Sequence, residues 1–283
     1  MQHFELHTYP YSFRIRTNSN VLHRRLTQLY PAEILTSVQP ESFIDFAVDC
    51  HRRWNGWQRP YNFRLGAEHF RMADDHDLLP CFEWGMNWCI ANFQSYYLCI
   101  HAGVLEKNGV CLIMPAPPGS GKSTLCALLM LAGWRLLSDE HCLIDPVTGN
   151  IEPCLRPISL KNNSIPVINR IFGTNTVLGV SENTFKGTVG YLPPSLSSWQ
   201  RRTEQAKPCY VIFPKYQPQS SELMVARLPQ TQVFMHLAVN SFNYQTMAAK
   251  GFAVMSGLVH QVEGLQLEYH HNHQVLAFLD SLP

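Results

Sequence analysis

The chain has 283 residues, 46% hydrophobic and 15% charged, too apolar for a disordered segment and long enough for one large domain or two small ones. Lys and Arg number 22 against 21 Asp and Glu, a formal charge of +1, so no basic field draws in a nucleic-acid backbone and no nucleic-acid partner is expected. Residues 1–16 hold no apolar run, and the most apolar window, residues 124–137, is short and broken by Gly133 and Arg135. A cytoplasmic protein with no membrane span is the expectation. Nine cysteines, none in a C-x-x-C pair, argue against a disulfide framework or a thiolate zinc site and predict reduced, mostly buried thiols.

Residues 1–95 read as a smaller α+β amino-terminal region without recognisable chemistry. Helices are predicted over residues 21–30 and 80–93. The run WNGWQRPYNFR, residues 54–64, suits a hairpin, or a peptide-binding face built from aromatics and Arg.

From Tyr97 the sequence YYLCIHAGVLEKNGVCLIMP reads as two antiparallel strands joined at Asn108-Gly109, the dipeptide favoured in a two-residue type I′ turn. That turn sets Lys107 opposite Val110, and continuing the ladder sets His101 opposite Ala116. Ala116 opens APPGSGKST, which matches G-x-x-x-x-G-K-[ST] with Ala in place of the first Gly. After Pro118, the end Gly119-Ser120-Gly121-Lys122-Ser123-Thr124 is intact. Small residues let backbone N–H groups turn onto a polyphosphate, a helix N-terminus stands behind them, Lys122 can hold phosphate, and the Ser123 hydroxyl can ligate Mg²⁺. A glycine-rich turn before a core helix is the competing reading.

The following helix, residues 125–132, is predicted to stop at Gly133. Residues 134–137 then read as a short buried strand delivering Ser138, Asp139 and Glu140. Acids at such a strand end can hold Mg²⁺ or take the proton of an attacking hydroxyl, or simply make a polar strand terminus. CLIDPVTGNIEP predicts a hairpin through residues 146–150, hence a mixed, largely antiparallel sheet. The run His270-His271-Asn272-His273 suits a transition metal or a solvated helix face. The segment NSFNYQ, residues 240–245, and a helical tail over 275–282 carry no legible chemistry.

Taken together, His101-Ala102-Gly103, PPGSGKSTL, GWRLLSDE, RPISLKN and KGTV, with FEWGMNWCIA upstream, resemble the catalytic domain of HPr kinase/phosphorylase, and most closely the HPr kinase-related kinase A family. The resemblance runs from about Phe63 onward. It implies an α/β fold with a P-loop kinase core over residues 96–283, with ATP and Mg²⁺ as cofactors. It places residues 118–124 on ATP phosphate, with Lys122 as the phosphate ligand. It assigns Mg²⁺ to Ser123, Asp139 and Glu140, and makes His101 part of the catalytic centre with Asp139 as base. Arg156, Lys161 and Lys186 fall in segments resembling substrate or phosphate loops. The family's acidic pair is usually Asp-Asp, so Glu140 is a departure. RPISLKN stands where HPr kinase has a long glycine-rich segment, which argues against HPr itself as substrate. The implied acceptor is a serine of a peptide or small protein, with a PqqD-like protein as partner and a homo-oligomer as the assembly. A small-molecule kinase, or a nucleotide-binding partner module without phosphotransfer, would use the same loop.

Overall fold

The computed structural model describes residues 1–52, 61–72, 78–117, 119–184, 186–219 and 221–283. Two compact units emerge: Met1–Ile90 with Ser159–Pro193, and Ala91–Ile158 with Pro194–Pro283.

In the first unit, β1 (Gln2–His7) pairs antiparallel with β2 (Ser12–Thr17). Helix α1 (Asn20–Leu29) begins where the Ser19 hydroxyl accepts from the Leu22 N–H, and it buries Leu22, Leu26 and Leu29 at helical spacing. Strands β3 (Leu35–Ser37), β4 (Phe46–Arg52), β5 (Tyr61–Leu65) and β6 (Glu68–Met72) complete a sheet of order β3-β1-β2-β4-β5-β6, in which β2 and β4 run parallel. Of the aromatic run at 54–64, the last residues enter β5, which pairs with β4; residues 54–60 lie outside the described residues. Helix α2 (Leu78–Phe93) covers the helix expected over 80–93.

The second unit is built on β7 (Leu98–Lys107) and β8 (Val110–Pro115). Lys107 faces Val110 as expected, and Asn108 and Gly109 both have positive φ, 54° and 87°, the requirement of a type I′ turn. Helix α3 (Lys122–Leu131) ends in a Schellman motif: the Trp134 N–H reaches the Leu129 carbonyl, the Gly133 N–H reaches that of Met130, and Gly133 has φ 94°. The chain then forms β9 (Arg135–Ser138), β10 (His141–Ile144) and β11 (Ile151–Glu152); β10 and β11 make the expected hairpin. The chain then returns to the first unit over Ser159–Pro193, where β12 (Ile158–Lys161), α4 (Ser164–Phe172), β13 (Leu178–Thr184) and β14 (Gly187–Leu192) give a three-stranded sheet of order β12-β14-β13. The carboxyl-terminal part adds α5 (Leu196–Gln200), β15 (Tyr210–Tyr216), β16 (Met224–Leu228), α6 (Gln230–Val239), α7 (Ala248–Gln261), β17 (Glu263–Tyr269) and α8 (Asn272–Asp280).

The large sheet runs β11-β10-β7-β8-β15-β17-β16, with β9 also on β7. Its pairs are antiparallel except β8 with β15 and β15 with β17. The protein is thus mixed α/β with mixed sheets and, among the described residues, eight helices. Alternate residues of β7, Leu98, Ile100, Ala102 and Val104, share a core with Leu237 of α6 and Leu258 of α7. Gly103 belongs to the opposite set by strand alternation, and a Cβ there would lie 2.3 Å from the Cys126 sulfur of α3. Its missing side chain is what lets α3 pack closely on β7. All nine cysteines are free and eight are buried. Among the described residues no helix is long and apolar enough to cross a membrane.

Candidate functional site

The glycine loop joins the end of β8 to the start of α3. Gly119 and Gly121 have φ 86° and 91°, a left-handed backbone costly for other residues. The Leu125 N–H returns to the Gly121 carbonyl at 2.9 Å, and no side chain caps the helix at Gly121. The first N–H groups of α3 therefore have no side-chain acceptor of their own at the cap. The Ser120 hydroxyl is buried without a hydrogen-bond partner. Pro118 lies outside the described residues.

Strand β9 delivers its two acids to this loop. Lys122 is buried, and its Nζ donates to the Asp139 backbone carbonyl and lies 3.3 Å from Asp139 Oδ1. Burial opposes the ammonium charge, yet Asp139 and Glu140 together hold the Lys122 pKa above the usual lysine range. For Asp139, itself 4% exposed, burial wins: its pKa rises above the ordinary carboxylate range although Lys122 pulls it down. The Ser123 hydroxyl and Cys126 thiol also face this carboxyl and lower it; Oδ2 has no hydrogen bond of good geometry. Glu140 behaves oppositely. Burial would raise it, but the His101 hydrogen bond and the Lys122 charge hold it well below the carboxylate range. Its Oε2 lies 3.1 Å from His101 Nε2. Two neighbouring acids are thus driven apart in pKa, a pattern that separates acid–base roles.

The expected pairing of His101 with Ala116 does not form. The β7–β8 ladder ends one pair earlier, at Ala102 with Pro115, where β8 leaves for the loop. The segment Asn240–Phe242 takes the vacated edge: the His101 N–H donates to the Asn240 carbonyl at 2.7 Å and the Phe242 N–H to Cys99. Asn243 fastens it, accepting from the Cys99 N–H and donating to the Tyr97 carbonyl. His101 instead faces His141 across β10, which brings it to Glu140. The Phe242 ring lies against both imidazoles, with centroids 5.7 and 5.5 Å away. No sequence signal marked this segment beyond its Asn and Ser content, because its partner strand lies some 140 residues upstream.

His141 is 2% exposed, and burial, aided by the Arg156 charge, pushes its pKa down to about 3. The native protein thus keeps His141 neutral where the unfolded chain, with His near 6.5, binds a proton. Unfolding takes up that proton between about pH 6.5 and pH 3, so stability falls as pH drops, by about 1.4 kcal/mol per unit from this group. Urea unfolding at pH 7, 6 and 5 should show this slope, and His141→Asn should flatten it; an unchanged slope in the variant would assign the effect elsewhere.

The second unit also contains Arg156, buried and near enough to His141 to depress it. Lys161 and Lys186 belong to the first unit, at the end of β12 and in the β13–β14 turn; the Lys186 Nζ sits 4.6 Å from the Trp84 ring centroid. The histidine run stacks ring on ring, with His271 and His273 centroids 5.6 Å apart. Among the described residues no three His, Cys, Asp or Glu side chains gather as a metal centre. A Mg²⁺ bound partly by phosphate oxygens needs only one or two protein ligands. The unsatisfied Asp139 Oδ2 and the neighbouring Ser123 hydroxyl are hard oxygen donors suited to that ion.

No protein-family model and no curated protein matches the sequence. Among solved structures the chain is weakly similar to the Hpr(Ser) kinase/phosphatase from Coxiella burnetii, with a TM-score of 0.31 and 12% identity, covering 65% of this chain and 87% of that one.

Proposed function

We propose that the chain is an ATP- and Mg²⁺-dependent kinase that transfers the γ-phosphoryl group to a hydroxyl, most naturally a serine of a peptide or small protein. The observation that carries this reading is the acid pair beside the glycine loop: Asp139 on Lys122 with raised pKa, and Glu140 on His101 with lowered pKa. In this reading residues 119–124 and Lys122 hold the phosphates. The acceptor hydroxyl loses its proton to Asp139 as its oxygen bonds to the γ-phosphorus, and the bond to the bridging oxygen breaks to release ADP. Glu140 stays ionised and orients His101 toward the transferred group. Ser123, Asp139 and Glu140 would hold Mg²⁺, which supplies neutralisation of phosphate charge. In this reading Arg156, whose charge acts on His141, also neutralises charge on the transferring group.

The test is to incubate purified protein with γ-labelled ATP, Mg²⁺ and the small proteins of its own cell, including any PqqD-like protein. Label on a serine of one peptide or protein is the expected result. Label in a small metabolite would replace the protein acceptor by a small one, and bound ATP that never turns over would remove the kinase reading.

A further inference from the structure

Strands β8, β15 and β17 run parallel, so their carboxyl ends lie along one edge of the sheet, where open α/β sheets bind ligands. The end of β8 is the glycine loop. The ends of β15 and β17 are Tyr216 and Tyr269, which face each other in register. Both reach the loop: a Cβ on Gly121 would lie 3.5 Å from the Tyr269 hydroxyl and 3.6 Å from Tyr216 Cβ.

Tyr269 is buried, whereas Tyr216 is 44% exposed. From Tyr216 the aromatic surface continues into the turn before α8. The His270 ring lies 5.6 Å from the Tyr216 ring at 33°, and the His271 ring 4.6 Å from His270. His270 Nδ1 is buried with no hydrogen-bond partner, an unmet polar group that a ligand can satisfy. A half-exposed Tyr216 ring with the tilted His270 ring and its unsatisfied nitrogen beside it, next to a loop suited to phosphate, matches a molecule with phosphates at one end and a planar heterocycle at the other.

We propose that Tyr216 and His270 form a stacking shelf for the base of a purine nucleoside triphosphate whose phosphates lie on the glycine loop. The proposal rests on the reading of that loop as a phosphate site. The larger ring system of a purine covers more of the shelf than a pyrimidine, so ATP binds more tightly than CTP. The histidine run thereby serves as an aromatic surface rather than a metal centre.

Calorimetric titration of the full chain with ATP and with inorganic tripolyphosphate, each with Mg²⁺, separates the shelf from the loop. Tyr216→Leu should weaken ATP about ten-fold and leave tripolyphosphate unchanged, while Tyr216→Phe keeps ATP within about two-fold. Unchanged tripolyphosphate binding also certifies that each variant is folded. Should Tyr216→Leu and His270→Ala both bind ATP as the wild type does, the shelf is overturned and the phosphate loop stands. A wild-type chain that binds neither ATP nor tripolyphosphate overturns the loop reading and the shelf with it.

Discussion

Asp139→Asn should lower phosphoryl transfer from ATP by about 10³-fold while ATP binding is retained. Asparagine fills the same space, but it cannot take a proton from the acceptor hydroxyl. Lys122 keeps its bond to the residue-139 backbone carbonyl and still faces Glu140, so its charge remains compensated. The pH dependence supplies a second check. Burial holds the Asp139 carboxyl above the ordinary carboxylate range, and a base works only when deprotonated. Transfer by the wild type should therefore rise with pH along a limb placed above about pH 4, and Asp139→Asn should lack that limb. Single-turnover transfer at wild-type rate in the variant would sink the role given to Asp139.

Arg135→Met should cost about 3–5 kcal/mol of stability without touching the glycine loop. Arg135 and Glu106 are 4% and 6% exposed, and Arg135 Nε donates to Glu106 Oε2 at 2.9 Å. The same guanidinium donates to the carbonyls of Arg201 and Glu204. Glu106 Oε1 accepts from the Gly109 N–H, which ties this charge pair to the type I′ turn. Methionine matches the stem of Arg135 but leaves Glu106 with the Gly109 N–H and the half-exposed Arg201.

The pH dependence of that loss has a definite sign. In the wild type, burial would raise Glu106, yet the Gly109 N–H and Arg135 hold it below the carboxylate range. It thus contributes stability above about pH 4.5 that is lost as pH falls through its folded pKa. Without Arg135, burial dominates and the folded carboxyl prefers its proton, so the penalty of the variant should be smaller at pH 5 than at pH 7.5. Urea midpoints at the two pH values check this. Adding Glu106→Leu to Arg135→Met should recover much of the loss, since a packed apolar pair can replace a buried ion pair; no recovery would point instead to the lost carbonyl contacts at 201 and 204.

Local physics made several elements legible. Asn108-Gly109 specifies a turn whose geometry few other dipeptides tolerate, and the register of β7 and β8 follows from that turn alone. Gly133 marks a helix end because only a residue at home with positive φ completes the Schellman pair. The glycine loop, the short strand β9 and the β10–β11 hairpin were readable for the same reason: each depends on a few consecutive residues. Pattern reading erred at His101, where it extended the ladder past the point at which β8 turns away, since nothing local announces that a distant segment competes for the same N–H.

The linear pattern of residues sufficed to place Lys122, Ser123, Asp139 and Glu140 at the ends of their strand and helix. Folding decided which partner each one met: Asp139 on Lys122, Glu140 on His101, and Phe242 over the two histidines. It also gathered Lys161 and Lys186 into the unit built on β1–β6 and brought Tyr216 and Tyr269 to Gly121 through parallel pairing. The reason is range. Turn and cap preferences act over a few residues, whereas parallel pairing, burial and the pKa values they produce depend on groups from tens of residues to more than a hundred apart, and no periodicity in the sequence records those encounters.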